Sequence, residues 1–171
     1  MENQLTVYHN DIKNWILWLP DSRKGFWKPV NIKKVRSYGA EYLLKLSYTA
    51  NKTRLFVQAN YAYSRSVNQG NPLSDRDKSV NKQLPYIPVH SGNVFVSVEN
   101  RGFFVNYQHN SYSKRYLLSS NSPAFHDDSE ELGLSAGKEL YPYFLNHLSF
   151  GKKFTLNRFR LGFELKINNL F

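Results

Sequence analysis

Apolar side chains recur at every second position along most of this chain, the period of a β-strand whose two faces meet different surroundings. Leu55, Val57, Ala59, Tyr61 and Tyr63 alternate with Arg54, Phe56, Gln58, Asn60 and Ser64. Phe103, Val105 and Tyr107 alternate with Phe104, Asn106, Gln108 and Asn110. Phe159, Leu161, Phe163, Leu165 and Ile167 alternate with Arg160, Gly162, Glu164, Lys166 and Asn168. Helical spacing is rare. The pattern predicts an all-β chain of seven strands, over 3–12, 29–48, 54–65, 86–98, 103–115, 143–154 and 159–169. Most reach the roughly 9–11 residues that a tilted strand needs to cross a bilayer. The second is longer and is expected to project beyond it.

The links divide into two kinds. Ala50-Asn51-Lys52-Thr53, Glu99-Asn100-Arg101-Gly102 and Leu156-Asn157-Arg158 read as tight turns. Residues 13–28, 66–85 and 116–142 read as long polar loops. Short and long links alternate, as in an antiparallel up-and-down barrel with periplasmic turns and extracellular loops. A soluble sandwich also alternates, but it hides its apolar face under loops of modest length. Here the polar face is rich in Asn and Gln, as expected beside a water-filled lumen. The chain has 12 Tyr, 12 Phe and 3 Trp. Several gather near strand ends (Trp15, Trp18, Trp27, Tyr38, Tyr86, Tyr112, Tyr116, Tyr141, Tyr143), where amphipathic rings suit the headgroup level.

Other chemistry is sparse. With no Cys, disulfides, thiolate metal sites and a cysteine nucleophile are excluded. The longest apolar run, Trp15 to Pro20, is far too short for a transmembrane helix. Met1-Glu2-Asn3-Gln4 has no basic start and no apolar core of a secretory signal after it. His9, His90, His109, His126 and His147 lack the spacing of a helical zinc site. The acidic cluster Asp127, Asp128, Glu130 and Glu131 lacks the order and glycine of an EF-hand. Neither a phosphate-binding glycine loop nor a nucleophile elbow occurs. No catalytic residue, metal or cofactor is therefore expected, and the chain is read as no enzyme. A net charge of +10 permits nucleic-acid binding in principle. The cations instead gather at turns (Lys52, Arg54, Arg101, Lys152, Lys153, Arg158) and around one loop (Arg23, Lys24, Lys28, Lys33, Lys34, Arg36), which suits a barrel rim better. The loop aromatics Trp15, Trp18, Trp27, Tyr112, Tyr116 and Phe125 are candidates for ligand contact or members of the interfacial girdle.

Four segments resemble, in order, the C-terminal barrel of TonB-dependent outer-membrane receptors, particularly those of Bacteroidetes. They are residues 5–16 (a rising strand with an aromatic exit), 29–41 (Asn, then Val, then Gly39-Ala40-Glu41), 84–93 (Pro88-Val89-His90) and 166–171 (Asn169-Leu170-Phe171). Trp15-Ile16-Leu17-Trp18-Leu19-Pro20 with Gly25-Phe26-Trp27-Lys28-Pro29 is most similar to the cobalamin-transporter-like receptors. The resemblance implies that residues 1–171 are a partial barrel domain: strands 15 to 21 of a 22-stranded barrel, without the plug domain and the last strand. It further implies residence in the outer membrane among its lipid, capture of cobalamin or a siderophore-like metal chelate, and coupling to TonB through the missing plug. The rival expectation is a soluble, basic β-sheet binding protein that hides its apolar face by oligomerising.

Overall fold

A computed structural model describes residues 1–20, 27–72, 78–117, 121 and 139–170. The elements are β1 (Glu2–Pro20), β2 (Trp27–Ala50), β3 (Thr53–Asn68), β4 (His90–Asn100), β5 (Phe103–Tyr112), β6 (Arg115–Tyr116), β7 (Glu139–Leu140), β8 (Tyr143–Leu156) and β9 (Phe159–Asn168). Seven form one antiparallel open sheet in the order β1-β2-β3-β4-β5-β8-β9. The pair β6-β7 forms a small ribbon of its own, with β6 following β5 and β7 preceding β8 in the chain. Among the described residues no helix is long and apolar enough to cross a membrane, which leaves crossing by strands open.

The turns explain the meander. Asn51 (φ 53°) and Asn157 (φ 51°) adopt the left-handed backbone that Asn tolerates best after glycine. Arg101 (φ 48°) and Gly102 (φ 85°) both do so, as a two-residue type I′ hairpin requires. Each loop closes a hairpin at Ala50↔Thr53, Asn100↔Phe103 and Leu156↔Phe159.

Register carries the alternation across the whole sheet. One row runs Leu44↔Ala59↔Val94↔His109↔Asn146. The next runs Leu46↔Val57↔Val96↔Tyr107↔Leu148↔Ile167, and the one beyond Tyr48↔Leu55↔Val98↔Val105↔Phe150↔Leu165. These rows form one continuous, mainly apolar face with no second layer over it among the described residues; Val7 is 73% and Phe163 64% exposed. The opposite face carries Glu41, Lys45, Gln58, Asn60, Asn93, Ser97, Asn106, Gln108, Ser149 and Lys166.

Two expectations need correction. Residues 13–28 were expected as a loop, yet β1 continues to Pro20 and β2 begins at Trp27, paired from Trp15↔Ile32 to Pro20↔Trp27. The hairpin is long because each backbone finds its partner without needing an alternating pattern. The strand expected from 86 begins instead at His90. Pro85 and Pro88 lack amide donors, and Tyr86 takes a left-handed backbone (φ 62°), so residues 82–89 fold into the row that β4 leaves empty beside β3. There Ser64 N donates to Val89 O at 2.8 Å, Leu84 N to Ser66 O at 2.8 Å and Asn68 N to Lys82 O at 3.1 Å. Leu84 (2% exposed) meets Val35 (1%), with Ile12, Trp15 and Ile87 around them. This cluster is a small core at the loop end of the sheet, and among the described residues the sheet has no other.

Candidate functional site

The polar face is cross-linked from strand to strand. Ser97 Oγ donates to Asn106 Oδ1 at 2.7 Å, and Asn106 Nδ2 to Ser149 Oγ at 3.1 Å. Asn93 Nδ2 donates to Asn110 Oδ1 at 2.6 Å. His147 Nδ1 lies 3.1 Å from Asn168 Oδ1, within hydrogen-bonding distance. Two glycines let rings lie flat along this wall. A Cβ on Gly39 would strike the Tyr63 carbonyl oxygen and fall 2.6 Å from the Tyr8 hydroxyl. Tyr8 thus passes over Gly39 and donates to Ser64 Oγ at 2.8 Å, joining β1 to β3 across β2. Phe104 covers Gly151 in the same manner.

Two hollows open on this wall, each of about 330 Å³, the lower end of the size of small-molecule sites. The first is lined by Thr6, Glu41, Asn60, Ser91, Asn93 and Tyr112, among others. The second is lined by Phe95, Asn106, Gln108, His147, Glu164 and Lys166, among others. Glu41 differs from every other described carboxylate. Glu2 pairs with Lys45 at 3.2 Å, Asp11 with Arg36 at 3.1 Å, Glu99 with Lys153 at 3.0 Å, Glu139 with Lys114 at 3.0 Å and Glu164 with Lys166 at 3.6 Å. Glu41 has no such cation among the described residues and faces the first hollow.

The predicted contact residues divide. Tyr112 ends β5, stacks on Tyr143 (centroids 4.8 Å apart) and lines the first hollow. Arg115 lies 4.8 Å over the Tyr143 ring. Tyr116 lies in β6, its carbonyl accepting from Tyr86 N at 2.9 Å and its ring 5.6 Å from Lys114 Nζ. Trp15 belongs to the Val35–Leu84 cluster, and its indole Nε1 is buried without a partner among the described residues. Three positions from Ile12, it would sit on the opposite face of an unbroken strand. Asn14 between them has a left-handed backbone (φ 56°), which accounts for the change of side. Trp18 is 58% exposed beyond that cluster. Trp27 opens β2 opposite Pro20. Phe125 and the acidic cluster 127–131 lie outside the described residues. Of these candidates, Tyr112 lines the first hollow among the described residues.

Sequence reasoning passed over Tyr8, Tyr143 and Glu41 as site residues. Glu41 stood in the Gly39-Ala40-Glu41 motif, but its lack of a cation is visible only once the other pairs have formed. Among the described residues no group of three His, Asp or Glu side chains is placed to hold a metal ion. Outside the long strands, hydrogen bonding to Glu139 raises the Lys114 pKa, and burial raises that of Tyr86.

A family model described as "TonB dependent receptor-like, beta-barrel" matches residues 4–170. No curated protein matches the chain.

Proposed function

The chain belongs to the β-barrel family of TonB-dependent receptors, and from that membership we propose that it forms part of the wall of a Bacteroidetes-type receptor that takes up cobalamin or a metal chelate. On this reading residues 1–171 are one partial barrel domain of seven strands, and the remaining strands and a plug complete the pore. The reading rests on one observation: a single-layer sheet with a continuous apolar face and, on the other side, a hydrogen-bonded polar wall bearing two hollows. A bilayer on one side and water on the other suits both faces.

The chemistry is capture and passage, with no covalent step. Tyr112 and Tyr143 offer stacking area at the mouth, and Trp18 and Tyr116 add further aromatic surface; Trp15, Trp27 and Phe125 stay candidates for ligand contact from their sequence positions. Amide and hydroxyl groups along the wall replace water around a polar ligand as it descends. Glu41 supplies an uncompensated negative charge at the hollow. Energy reaches the ligand path through a plug coupled to TonB. The test is uptake. Cells lacking their own transporters for cobalamin and ferric siderophores, supplied with the receptor, regain growth on one limiting nutrient. Growth on neither refutes the substrate class.

A further inference from the structure

We propose that a notch on the turn side of the sheet binds one anionic glycerophospholipid of the periplasmic leaflet. The proposal rests on the membrane reading above and goes beyond it.

The notch arises from a step between hairpins. The β2–β3 and β4–β5 turns end level, since Thr53 pairs with Asn100. β8 follows β5 only to Lys152↔Phe103, with Lys153 N donating to Gly102 O at 2.8 Å. Beyond that, β8 and β9 continue alone to Leu156↔Phe159. The Thr155 N–H, two residues on, projects to the same side as that of Lys153, where no strand follows. The step leaves a hollow of about 560 Å³ lined by Arg101, Gly102, Lys153, Thr155, Phe154 and Arg160, with Glu99, Leu161 and Gly162.

Charge and polarity divide this hollow in the way a phospholipid does. Lys153 is neutralised by Glu99 at 3.0 Å. Arg101 and Arg160 have no carboxylate partner among the described residues, so two positive charges stay uncompensated. Guanidinium groups bind phosphate through paired N–H donors. Gly102 keeps the inner wall bare; a Cβ there would lie 2.6 Å from the Lys153 carbonyl oxygen. On the apolar side, Phe154 is 43% and Leu161 57% exposed, continuous with the rows that face acyl chains. Lys152 Nζ lies 4.0 Å from the Phe103 ring centroid and 5.0 Å from that of Phe154, a third cation among rings at this margin. Arg160 rises from the water face and Phe154 and Leu161 lie on the acyl face, one residue apart along β8 and β9. A phosphate seated in the gap beyond Gly102 is thus reached by Arg101 and Arg160 through the notch, while its tails run along Phe154 and Leu161.

The test uses the receptor containing this chain, purified in detergent and titrated with phosphatidylglycerol or phosphatidylcholine, with retained lipid counted by native mass spectrometry. The receptor is expected to retain phosphatidylglycerol about tenfold more strongly, the scale of one to two cation–headgroup contacts. Arg101→Gln with Arg160→Gln removes the preference, while Lys52→Gln with Arg54→Gln, at the neighbouring turn, keeps it. Heat-modifiable electrophoretic mobility checks that each variant is folded. Equal retention of the two lipids, a preference that survives the notch substitutions, or equal loss in the control pair would overturn the proposal. So would equal binding of tail-less glycerophosphoglycerol. A receptor that sediments as a soluble species without detergent instead defeats the membrane reading itself.

Discussion

Gly39 occupies a point where only hydrogen fits, because the Tyr63 carbonyl and the Tyr8 ring claim the space a Cβ would take. Gly39→Val is expected to displace Tyr8 and break its bond to Ser64, whereas Tyr8→Phe removes that bond alone, at about 1 kcal/mol. Denaturant unfolding of the detergent-held protein separates the two. Asn146 poses the opposite problem. It is a polar residue, 4% exposed, on the apolar face between Phe144 and Leu148. Its Oδ1 accepts from the Tyr107 hydroxyl at 2.7 Å and lies 2.8 Å from His109 Nδ1. Asn146→Leu fills the space but strands the Tyr107 hydroxyl against acyl chains, at a cost of about 1–3 kcal/mol. Restoring the loss with Tyr107→Phe in the same unfolding assay identifies the cause. Tyr86 gives a pH signature. Its raised pKa means the neutral phenol fits the folded rim better than the phenolate does. The associated stability is complete below the ordinary tyrosine value near 10 and is lost as pH rises through the higher folded value. Amide exchange at Leu84 is expected to quicken above that point in the parent protein and to lose this step in Tyr86→Phe.

At the scale of elements, one face of each strand decides its neighbours. Val96 and Ser97 are adjacent in β4, yet Val96 pairs with Val57 and Tyr107, and Ser97 with Phe56 and Asn106. Val96→Arg places a charge among acyl chains and is expected to cost about 2–4 kcal/mol at midplane depth. Ser97→Arg, facing water, is expected to cost far less. Similar losses in refolding into vesicles would show that the faces are misassigned. The segment 82–89 behaves as an added strand whose hold depends on Leu84. Leu84→Ala empties a site against Val35 and is expected to cost about 2–5 kcal/mol, read as faster amide exchange from Ser64 to Asn68. The period-2 signal gave no warning of this segment, because its two prolines and its burial depend on partners distant in the chain. It likewise understated β1 and β2. Trp15 to Pro20 is apolar throughout, so this stretch carries no alternation from which a strand could be read.

For the whole molecule, the decisive fact is that the sheet is open. β1 and β9 lie at its two edges and, as first and seventh strands of an antiparallel order, run in the same direction. Antiparallel closure therefore needs an odd number of further strands between them. Backbone groups on such edges have no water to bond within a bilayer, so the assembled receptor is expected to protect the outward amides of both strands from exchange. Fast exchange there in the membrane-embedded receptor would show that the wall stays open.

The sequence alone determined the all-β class, the antiparallel meander, the alternation of apolar and polar faces along the strands and the three tight turns. These follow from neighbours two to four positions apart, which the chain states directly. Only the tertiary structure decided that Glu41 lacks a cation among the described residues, that Tyr8 crosses Gly39, that residues 82–89 complete the rim and that β8 overruns β5 to leave a notch. Each depends on which distant strands stand side by side and where their ladders stop, and a local period of two carries no record of either.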